Sequence, residues 1–388
     1  MTSQYATPDY QFFIKNAYTT AFVDEIAPQD IVSVKWTRTW RGGGSWSMTL
    51  PLNSRYTSAF TAHHQLIHIV RNGLSEFVGV IMKRGVDPLG KNWTIGGPDL
   101  TGFWLSQRVV GETTSDARSG VGETVIKAYV NAYLGSTAAA ARQGTTYLTG
   151  KTFVVTADTA RGSSVYGKAN RQDLLALTQS LCEAALLTQD VSLVSDGYSY
   201  DVGVIVDHTS DVIGAVPFSA DWDNVEAMTF NEDYTNYRNH HYVAGDGSGS
   251  LRNVTEIAAS GLTTDFRFES VIDVPWASSV DLRTTVGNAE VLKRARQLVG
   301  VTAKPFRFGQ NSVYRTDFDV GWNVSFAEAR LRAGSIDMPI AAVTVSITSS
   351  GSRPVEDITF DLGQPNPDSV LRKYQETIDL IKSAAAVG

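Results

Sequence analysis

Apolar and polar side chains alternate along residues 32–50, which is the periodicity of a β-strand with one buried face. Gly42, Gly43 and Gly44 interrupt the alternation, and glycines accept the positive φ angles of a tight reversal. We therefore predict an antiparallel hairpin with one tryptophan-rich face and one face of serine and threonine. Arg38 stands in the apolar register, so it either extends its charge to solvent or marks a β-bulge. The apolar positions are Val32, Val34, Trp36, Trp40, Trp46, Met48 and Leu50.

Further short strand patterns follow within the first hundred residues. Two apolar runs, at residues 66–70 and 77–82, flank Asn72 and Gly73, a pair typical of a type I′ hairpin turn. Another strand pattern follows after a second turn signal. Several short strands joined by reversals predict a closed or nearly closed antiparallel β-barrel, and we assign this first β domain to residues 1–110.

The periodicity then changes to apolar side chains at three- and four-residue offsets, as in an α-helix. One such pattern covers residues 122–135 and ends at a glycine. A second helix has a broad apolar face along residues 174–186, after Asn170 and Asp173 in the spacing of a capping box. With an intervening strand, these helices predict an inserted α+β module at residues 111–212.

Strand patterns return after this module and predict a second β domain at residues 213–363, interrupted by one helix at residues 288–299. The glycine- and serine-rich residues 245–250 predict a flexible connection or a hairpin tip. The segment 358–363 closes the domain. The other strands are predicted at residues 225–230, 241–243, 254–258, 266–271, 306–308, 314–324 and 342–348.

A C-terminal helix is predicted in residues 364–388, with Pro367 and Asp368 in its first turn. Its apolar side chains are spaced three and four residues apart, which is a heptad-like seam. A helix this short is marginal in water by itself, so the seam needs a partner surface, either on its own domain or on another chain. The seam consists of Leu371, Tyr374, Ile378, Ile381 and Ala385.

Length and composition narrow the functional classes. The chain has 388 residues, with 33 Lys and Arg against 40 Asp and Glu, so its formal charge is −7. Proteins that grip nucleic acid usually carry a basic excess, so we expect no tight DNA binding, whereas transient passage of DNA is compatible with this charge. The single cysteine, Cys182, excludes an internal disulfide framework. Without a signal-like start or a bilayer-length apolar run, we expect a soluble protein, synthesised in the cytoplasm and without stable membrane association.

Candidate catalytic and metal-binding residues are few. The densest histidine cluster lacks the cysteine or carboxylate partners of a zinc site, so we predict no metal and no other cofactor. Cys182 lies on the apolar stripe of a predicted helix, which favours a buried structural thiol. Two groups of carboxylates have the residue types of a glycosidase, but the same residues are ordinary in turns and helix caps. The histidines are His63, His64 and His68, and the carboxylates are Asp317 with Asp319, and Asp221 and Asp223 with Glu226.

The sequence contains no P-loop, HExxH or GxSxG motif, and we predict a protein that is not an enzyme. Tryptophans also occur in carbohydrate-binding surfaces, but the alternation around residues 32–50 buries them, which favours a core or a subunit interface. The candidate assembly residues are Trp36, Arg38, Trp40, Trp46, and the seam residues Leu371, Tyr374, Ile378 and Ile381.

Several segments of the chain resemble a known family. They are WRGGGSWSMTLP, LIHIVRNG through FVGVI, WTIGGPDLTGFWLSQRVV, GETVIKAYVNAYLG, LCEAA, FSADWDNVEAM, and VYRTDFDVGWNVSF followed by VTVSITSSG. In this order they are similar to the tail-hub proteins at the distal end of long, non-contractile phage tails, which are related to the baseplate hubs of contractile tails. These segments cover most of the chain and are framework patterns, not catalytic signatures.

The resemblance implies two tail-tube-like β-barrel domains, with the α+β module inserted between them and the C-terminal helix after them. It implies a homotrimer that forms a ring at the tail tip of the virion and encloses a channel for the tape measure protein and DNA. The implied partners are the distal tail protein, the tail tube protein, the tape measure protein, and tail-tip or receptor-binding proteins. A cell-wall-degrading glycosidase and a carbohydrate-binding tail component are the alternatives.

Overall fold

The computed structural model describes residues 8–60, 64–87, 90–208, 217–233, 235–259, 266–275, 277–294, 298–306, 313–327, 335–350 and 353–363. The chain divides into two compact units. Unit 1 consists of residues 1–206, 235–297 and 344–358, and unit 2 consists of residues 207–234, 298–343 and 359–388. The domain boundaries inferred from the sequence stay predictions.

The described residues form a β-rich α+β fold, which confirms the predicted class. The elements before residue 205 are β1 (Tyr10–Asn16), β2 (Phe22–Ile26), β3 (Ser33–Thr39), β4 (Ser45–Pro51), β5 (Gln65–Arg71), β6 (Leu74–Val80), β7 (Lys83–Val86), β8 (Asn92–Pro98), α1 (Leu100–Leu105), β9 (Val109–Val110), β10 (Asp116–Val121), α2 (Gly122–Tyr133), β11 (Thr152–Val155), β12 (Ser164–Ala169), β13 (Gln172–Asp173), α3 (Leu174–Ala185), β14 (Leu187–Val194) and β15 (Gly197–Val204). The later elements are β16 (Val206–Asp207), β17 (Val225–Asp233), β18 (His240–Ala244), β19 (Val254–Ala258), β20 (Glu269–Asp273), α4 (Val280–Arg294), β21 (Leu298–Pro305), β22 (Trp322–Ala327), β23 (Ser335–Ser350) and β24 (Arg353–Gly363).

The hairpin predicted from the alternation at residues 32–50 is confirmed in unit 1, where β3 and β4 pair in antiparallel orientation. Trp36 lies opposite Trp46 in this pairing. β3 ends at Thr39 and β4 begins at Ser45, so the connection consists of residues 40–44, which include the three glycines. β8 and β7 extend the sheet beyond β4, and β23 lies beside β3.

A second sheet of unit 1 has the strand order β2-β1-β5-β6. Asn72 and Gly73 connect β5 to β6 with φ angles of 52° and 78°, the left-handed values that a type I′ turn requires, so this predicted hairpin is also confirmed. The indole nitrogen of Trp46 donates a hydrogen bond to the carbonyl of Val80 over 3.3 Å. The tryptophan-rich face of the first sheet therefore lies against the second sheet.

Helices α2 and α3 confirm the two helical patterns of the predicted insert. The start of α3 differs from the prediction, because Asp173 is the N-cap residue and its carboxylate accepts a hydrogen bond from the Ala176 N–H at 2.9 Å. Asn170 lies too far upstream to cap this helix, since β13 pairs with β9 until Asp173 and keeps the chain extended. The predicted capping box is therefore wrong, although one of its two residues is the cap.

The core of unit 1 also includes α1, which the sequence analysis did not predict. The ring of Trp104 in α1 contacts the rings of Phe153 and Tyr198, with centroid distances of 5.1 Å in both cases. Leu66 and Val80 of the second sheet belong to the same hydrophobic cluster. The α+β region and this sheet consequently share one core.

The sheet β19-β18-β20 packs against α4 through Val243, Val274 and Ala277. The helix predicted at residues 288–299 is correct in kind and wrong in extent, because α4 starts earlier and Leu298 already belongs to a strand. That strand, β21, pairs with β17 and β24. The apolar pattern at its start fits a helix or a strand, and pairing with these distant strands decides between them. Among the described helices, none is long and apolar enough to cross a membrane.

Unit 2 contains β17, β21 and β22 together with parts of β23 and β24. Its core is aromatic, since the rings of Phe218, Phe318 and Phe360 lie within centroid distances of 5.8, 4.9 and 5.1 Å of one another. The strand predicted at residues 314–324 is wrong over most of its length, because β22 begins only at Trp322. The turn before β22 places Phe318 in the core. Alternation alone would assign this residue to a strand.

Candidate functional site

The three tryptophans named as assembly candidates are part of the core of unit 1. Trp36, Trp40 and Trp46 are 0%, 7% and 4% exposed, which confirms the burial predicted from the alternation. Arg38 is partly exposed near the end of β3, and the β3–β4 register shows no bulge over the paired residues. Their role in assembly stays a prediction.

The other assembly candidates are the seam residues of the C-terminal helix. Leu371, Tyr374, Ile378 and Ile381 lie outside the described residues. The seam is therefore a prediction from the sequence pattern alone.

The loop at residues 40–44 is a buried joint of unit 1. The Gly44 N–H donates to the Asp99 carboxylate at 2.7 Å, and the Asp99 N–H donates back to the Gly44 carbonyl at 2.9 Å. The other carboxylate oxygen of Asp99 accepts from the Gly102 N–H at 2.6 Å, so Asp99 is also the N-cap of α1. One side chain thus fastens the hairpin loop to the start of a helix.

Side chains of α3 and β14 hold the other half of the loop. Gln179 donates from Nε2 to the Gly42 carbonyl at 2.9 Å, and Gln189 donates from Nε2 to the Arg41 carbonyl at 2.7 Å. Arg41 also pairs with Glu183 over 2.6 Å. These contacts satisfy backbone groups that would otherwise be buried without partners.

The carboxyl group of Asp99 has an unusual environment. Burial raises the pKa of Asp99 to about 7, and the negative charge of Asp190 adds to this, while hydrogen bonds from the backbone of Gly102 and Gly44 act in the opposite direction. Desolvation of the ionised form is the dominant cause. The hydrogen bonds from Gly44 and Gly102 connect this carboxyl group to the loop and to α1, so it positions one against the other.

The carboxylates considered for a glycosidase make ordinary structural contacts. Asp317 accepts a hydrogen bond from the Val313 N–H at 2.8 Å, and Asp319 pairs with Arg315 at 2.9 Å. Both lie in the turn before β22, although a strand was predicted at residues 314–324, so they do not share a strand face. Turn formation accounts for these two residues without catalysis.

The second group of carboxylates lies around a short 3₁₀ turn that begins after Ser219. Glu226 pairs with Lys304 over 3.1 Å across the β17–β21 pair. Asp223 ends the turn in the left-handed conformation, with a φ angle of 51°. Such positions are typical of turn and cross-strand residues.

Cys182 is completely buried in α3, which confirms the predicted structural thiol. Burial raises the pKa of Cys182 to about 12, so the reactive thiolate is suppressed. A ring nitrogen of His68 lies 3.0 Å from the Ser75 hydroxyl. Burial lowers the pKa of His68 to about 4, and the positive charge of Lys15 acts in the same direction. His63 lies outside the described residues, within which no group of three or more potential ligands is placed to hold a metal ion.

One buried ionic cluster was not anticipated. Glu123, at the start of α2, contacts Lys127 at 2.7 Å and Arg161 at 2.8 Å, and Lys127 also reaches Asp201 at 3.0 Å. Burial raises the pKa of Glu123, but hydrogen bonds from Arg161 and Lys127 outweigh it and hold the pKa well below its usual range. The four-residue spacing of Glu123 and Lys127 is the only signal of this cluster in the sequence.

The fold is similar to the solved structures of several phage tail proteins. The tail protein of Neisseria meningitidis MC58 is 10% identical, with a TM-score of 0.54 over 91% of this chain and 96% of that one. The 43 kDa tail protein of prophage MuSo2 from Shewanella oneidensis is 11% identical, with a TM-score of 0.57 over 92% and 99%. Tail protein gp18 of a Listeria monocytogenes EGD-e prophage is 10% identical, with a TM-score of 0.56 over 96% and 99%.

At these identities the structural likeness establishes the fold alone. No curated protein matches the chain by sequence. The sequence profile of the siphovirus ReqiPepy6 Gp37-like proteins matches residues 22–360, which is most of the chain. The chain therefore belongs to the family of siphovirus ReqiPepy6 Gp37-like proteins, and its fold is that of phage tail proteins.

Proposed function

We propose that this chain is the structural hub at the tip of a long, non-contractile phage tail. The observation that carries the proposal is its likeness, over more than nine-tenths of its length, to three phage tail proteins. The side chains that a catalytic role would need are engaged in turns, caps and ion pairs in the described residues. A framework role in the virion accounts for both observations.

The hub is proposed to be a homotrimer, because two tube-like parts in each of three subunits would form a ring that fits beneath a tail tube. Its proposed neighbours are the tail tube protein, the distal tail protein, the tape measure protein, and tail-tip or receptor-binding proteins. The ring would enclose the channel through which the tape measure protein and DNA pass. DNA contact would be transient, since the chain is acidic overall.

The location and stoichiometry can be tested together. A phage that lacks the gene is complemented with an epitope-tagged chain, and the virions are labelled with gold-conjugated antibody. We expect label at the distal end of the tail and, in tip complexes purified with their tail partners, copies in multiples of three 42.1 kDa chains. Normal infectious tails without the chain, or label elsewhere on the virion, would overturn the proposal.

Arg38 and the C-terminal seam are proposed to act at subunit contacts. Arg38→Ala and a Leu371→Ala/Ile378→Ala variant should reduce the trimer fraction in purified tip complexes without loss of the folded subunit. Lys151→Ala, at the edge of the α+β region, is the matched control. Trp36, Trp40 and Trp46 are buried. They would therefore affect subunit assembly indirectly, by supporting the shape of the protein surface that covers them.

A further inference from the structure

Two arginines of the α+β region of unit 1 stack side by side on tyrosine rings. The guanidinium carbon of Arg108 lies 5.6 Å from the ring centre of Tyr147, and that of Arg142 lies 5.0 Å from the ring centre of Tyr133. The two pairs are joined, because Nε of Arg108 donates a hydrogen bond to the Arg142 carbonyl at 3.2 Å. We name Arg108, Val109, Arg142 and Tyr147 the arginine–tyrosine patch.

The two arginines of the patch differ in their counter-charges. Arg142 forms an ion pair with Glu112, and its Nη2 donates to the Val109 carbonyl at 2.6 Å. Arg108 instead donates from Nε and Nη1 to backbone carbonyls, the second being that of Gln107 at 3.3 Å. In the part of the chain that the structure describes, Arg108 has no carboxylate within ion-pair distance. The patch therefore carries one positive charge that these residues leave uncompensated.

The surroundings of Arg108 make this uncompensated charge unfavourable. The side chain is half-buried, and burial lowers the pKa of Arg108. The nearby Tyr147 opposes this change, and the positive charge of Arg142 adds to it. A partly desolvated cation is stabilised by an anion that hydrogen-bonds to it. Nη2 of Arg108 donates to none of the described residues, so its N–H groups are available for such an anion.

The side chains around Arg108 have the composition of a protein contact surface. Tyr147 and Val109 are 50% and 45% exposed. The Tyr147 hydroxyl donates to the Ala141 carbonyl at 2.6 Å, which fixes the ring on which Arg108 stacks. Arginine and tyrosine are enriched among the residues that contribute most to binding at protein interfaces. The patch thus presents a fixed guanidinium group between exposed aromatic and aliphatic surface.

We propose that the arginine–tyrosine patch binds a short acidic segment of a neighbouring tail protein, an inference that rests on the proposed hub function. A carboxylate of this segment accepts hydrogen bonds from Nη1 and Nη2 of Arg108, in the planar arrangement that guanidinium groups favour. An apolar side chain next to the carboxylate covers Tyr147 and Val109 and excludes water from the ion pair. The partner is therefore recognised by an Asp or Glu beside an apolar residue.

A nucleic acid or another polyanion is the competing occupant. Such ligands are bound by several cationic groups, because affinity increases with the number of phosphates that are neutralised. Arg142 is already paired with Glu112, whose side chain is 46% exposed and would repel phosphates. A single uncompensated charge beside exposed apolar surface favours a protein segment over a polyanion.

The first test forms a covalent bond at the proposed contact. Arg108→Lys places an amine at this position, and complete virions are treated with a water-soluble carbodiimide, which joins an amine to a carboxylate in contact with it as an amide. Arg55→Lys is the matched control, since Arg55 also stacks on a tyrosine, Tyr56 at 4.7 Å, but is exposed. We expect mass spectrometry to show a cross-link from position 108 to an Asp or Glu of a different tail protein, and none of comparable yield from position 55.

The other outcomes of the cross-linking contradict the inference. Tails that contain the chain but give no cross-link from position 108 to another protein would overturn it. A cross-link to a second copy of this chain, or equal yields at positions 108 and 55, would overturn it as well. Absence of the chain from tails would instead refute the proposed hub function.

The second test reverses the charges across the contact that the first test identifies. Arg108→Glu should lower the amount of the cross-linked partner that co-purifies with tail tips at least about fivefold relative to Arg55→Glu, because it replaces attraction by repulsion. Replacement of the partner's carboxylate by arginine should restore the original amount. No loss, or a loss that the reversed pair does not restore, would overturn the inference. Circular dichroism of each purified variant establishes that the subunit is folded.

Discussion

Two glycine-rich connections of unit 1 have similar compositions and opposite environments. The loop at residues 40–44 is held by side chains from three other elements, including Asp99 and Gln179. The loop at residues 245–250 is mostly exposed. Its hydrogen bonds come from nearby side chains, such as Asn253 to Asp246 at 2.8 Å, and one more distant contact is the ion pair of Asp246 with Arg283 of α4 at 3.7 Å. Composition predicts a reversal at both places, but the first loop is held by hydrogen bonds from several other elements, whereas most of the second loop is exposed.

The glycines of the two loops are needed for different reasons. Gly42 has a φ angle of 72°, and a Cβ atom there would lie 2.3 Å from the Thr101 methyl group. Gly249 has a φ angle of 56°, but a Cβ atom there would have no neighbour within 4 Å. Backbone conformation alone requires glycine in the exposed loop, whereas close packing adds a second requirement in the buried one.

The largest expected effect comes from a methyl group placed in each loop. Gly42→Ala should lower the free energy of unfolding by about 4 kcal/mol, the combined result of a left-handed conformation and overpacking against Thr101. Gly249→Ala should cost only about 1 kcal/mol, because only the conformational term applies. Urea denaturation of the two variants measures the difference. Equal losses would mean that the loop at residues 40–44 is no more restrained than the exposed loop.

The second prediction concerns pH and the carboxyl group of Asp99. Its pKa is about 7 in the folded chain against the ordinary 3.8, so between these values the folded protein holds a proton that the unfolded chain has lost. Raising the pH through this window therefore favours unfolding. The stability of the native chain relative to Asp99→Asn should fall by at most about 4 kcal/mol from about pH 4 to about pH 8. A constant difference in denaturation free energy over this range would contradict the assigned environment.

The smallest effect is expected from the ion pair at the rim of the buried loop. Arg41 and Glu183 are partly exposed, so Glu183→Gln should cost no more than about 1 kcal/mol. Arg267→Gln, which removes exposed ion pairs with Glu256 and Glu269 in the β19-β18-β20 sheet, should leave the stability almost unchanged. Thermal unfolding at low and high salt measures both. A loss from Glu183→Gln as large as that from Gly42→Ala would mean that charge, and not backbone packing, holds the joint.

Local sequence patterns were sufficient to predict strands, turns and the burial of their side chains. Alternation identified β3 and β4 and the burial of Trp36 and Trp46, because side chains on a strand must face either the core or the solvent. The Asn72–Gly73 turn was equally clear, since few residue pairs tolerate two positive φ angles. Where the pattern was ambiguous, as at Leu298, pairing with distant strands decided the conformation.

The sequence by itself determined the class of the fold, the tryptophan-rich hairpin and its two unlike faces. Only the tertiary structure decided what covers each face and which loop is a joint. Asp99 meets Gly44 from 55 positions away, and Arg71 meets Glu356 from 285 positions away at 3.1 Å. Periodicity records whether a side chain is buried, but it carries no information about the partner, because any element of matching shape and polarity can bury the same face.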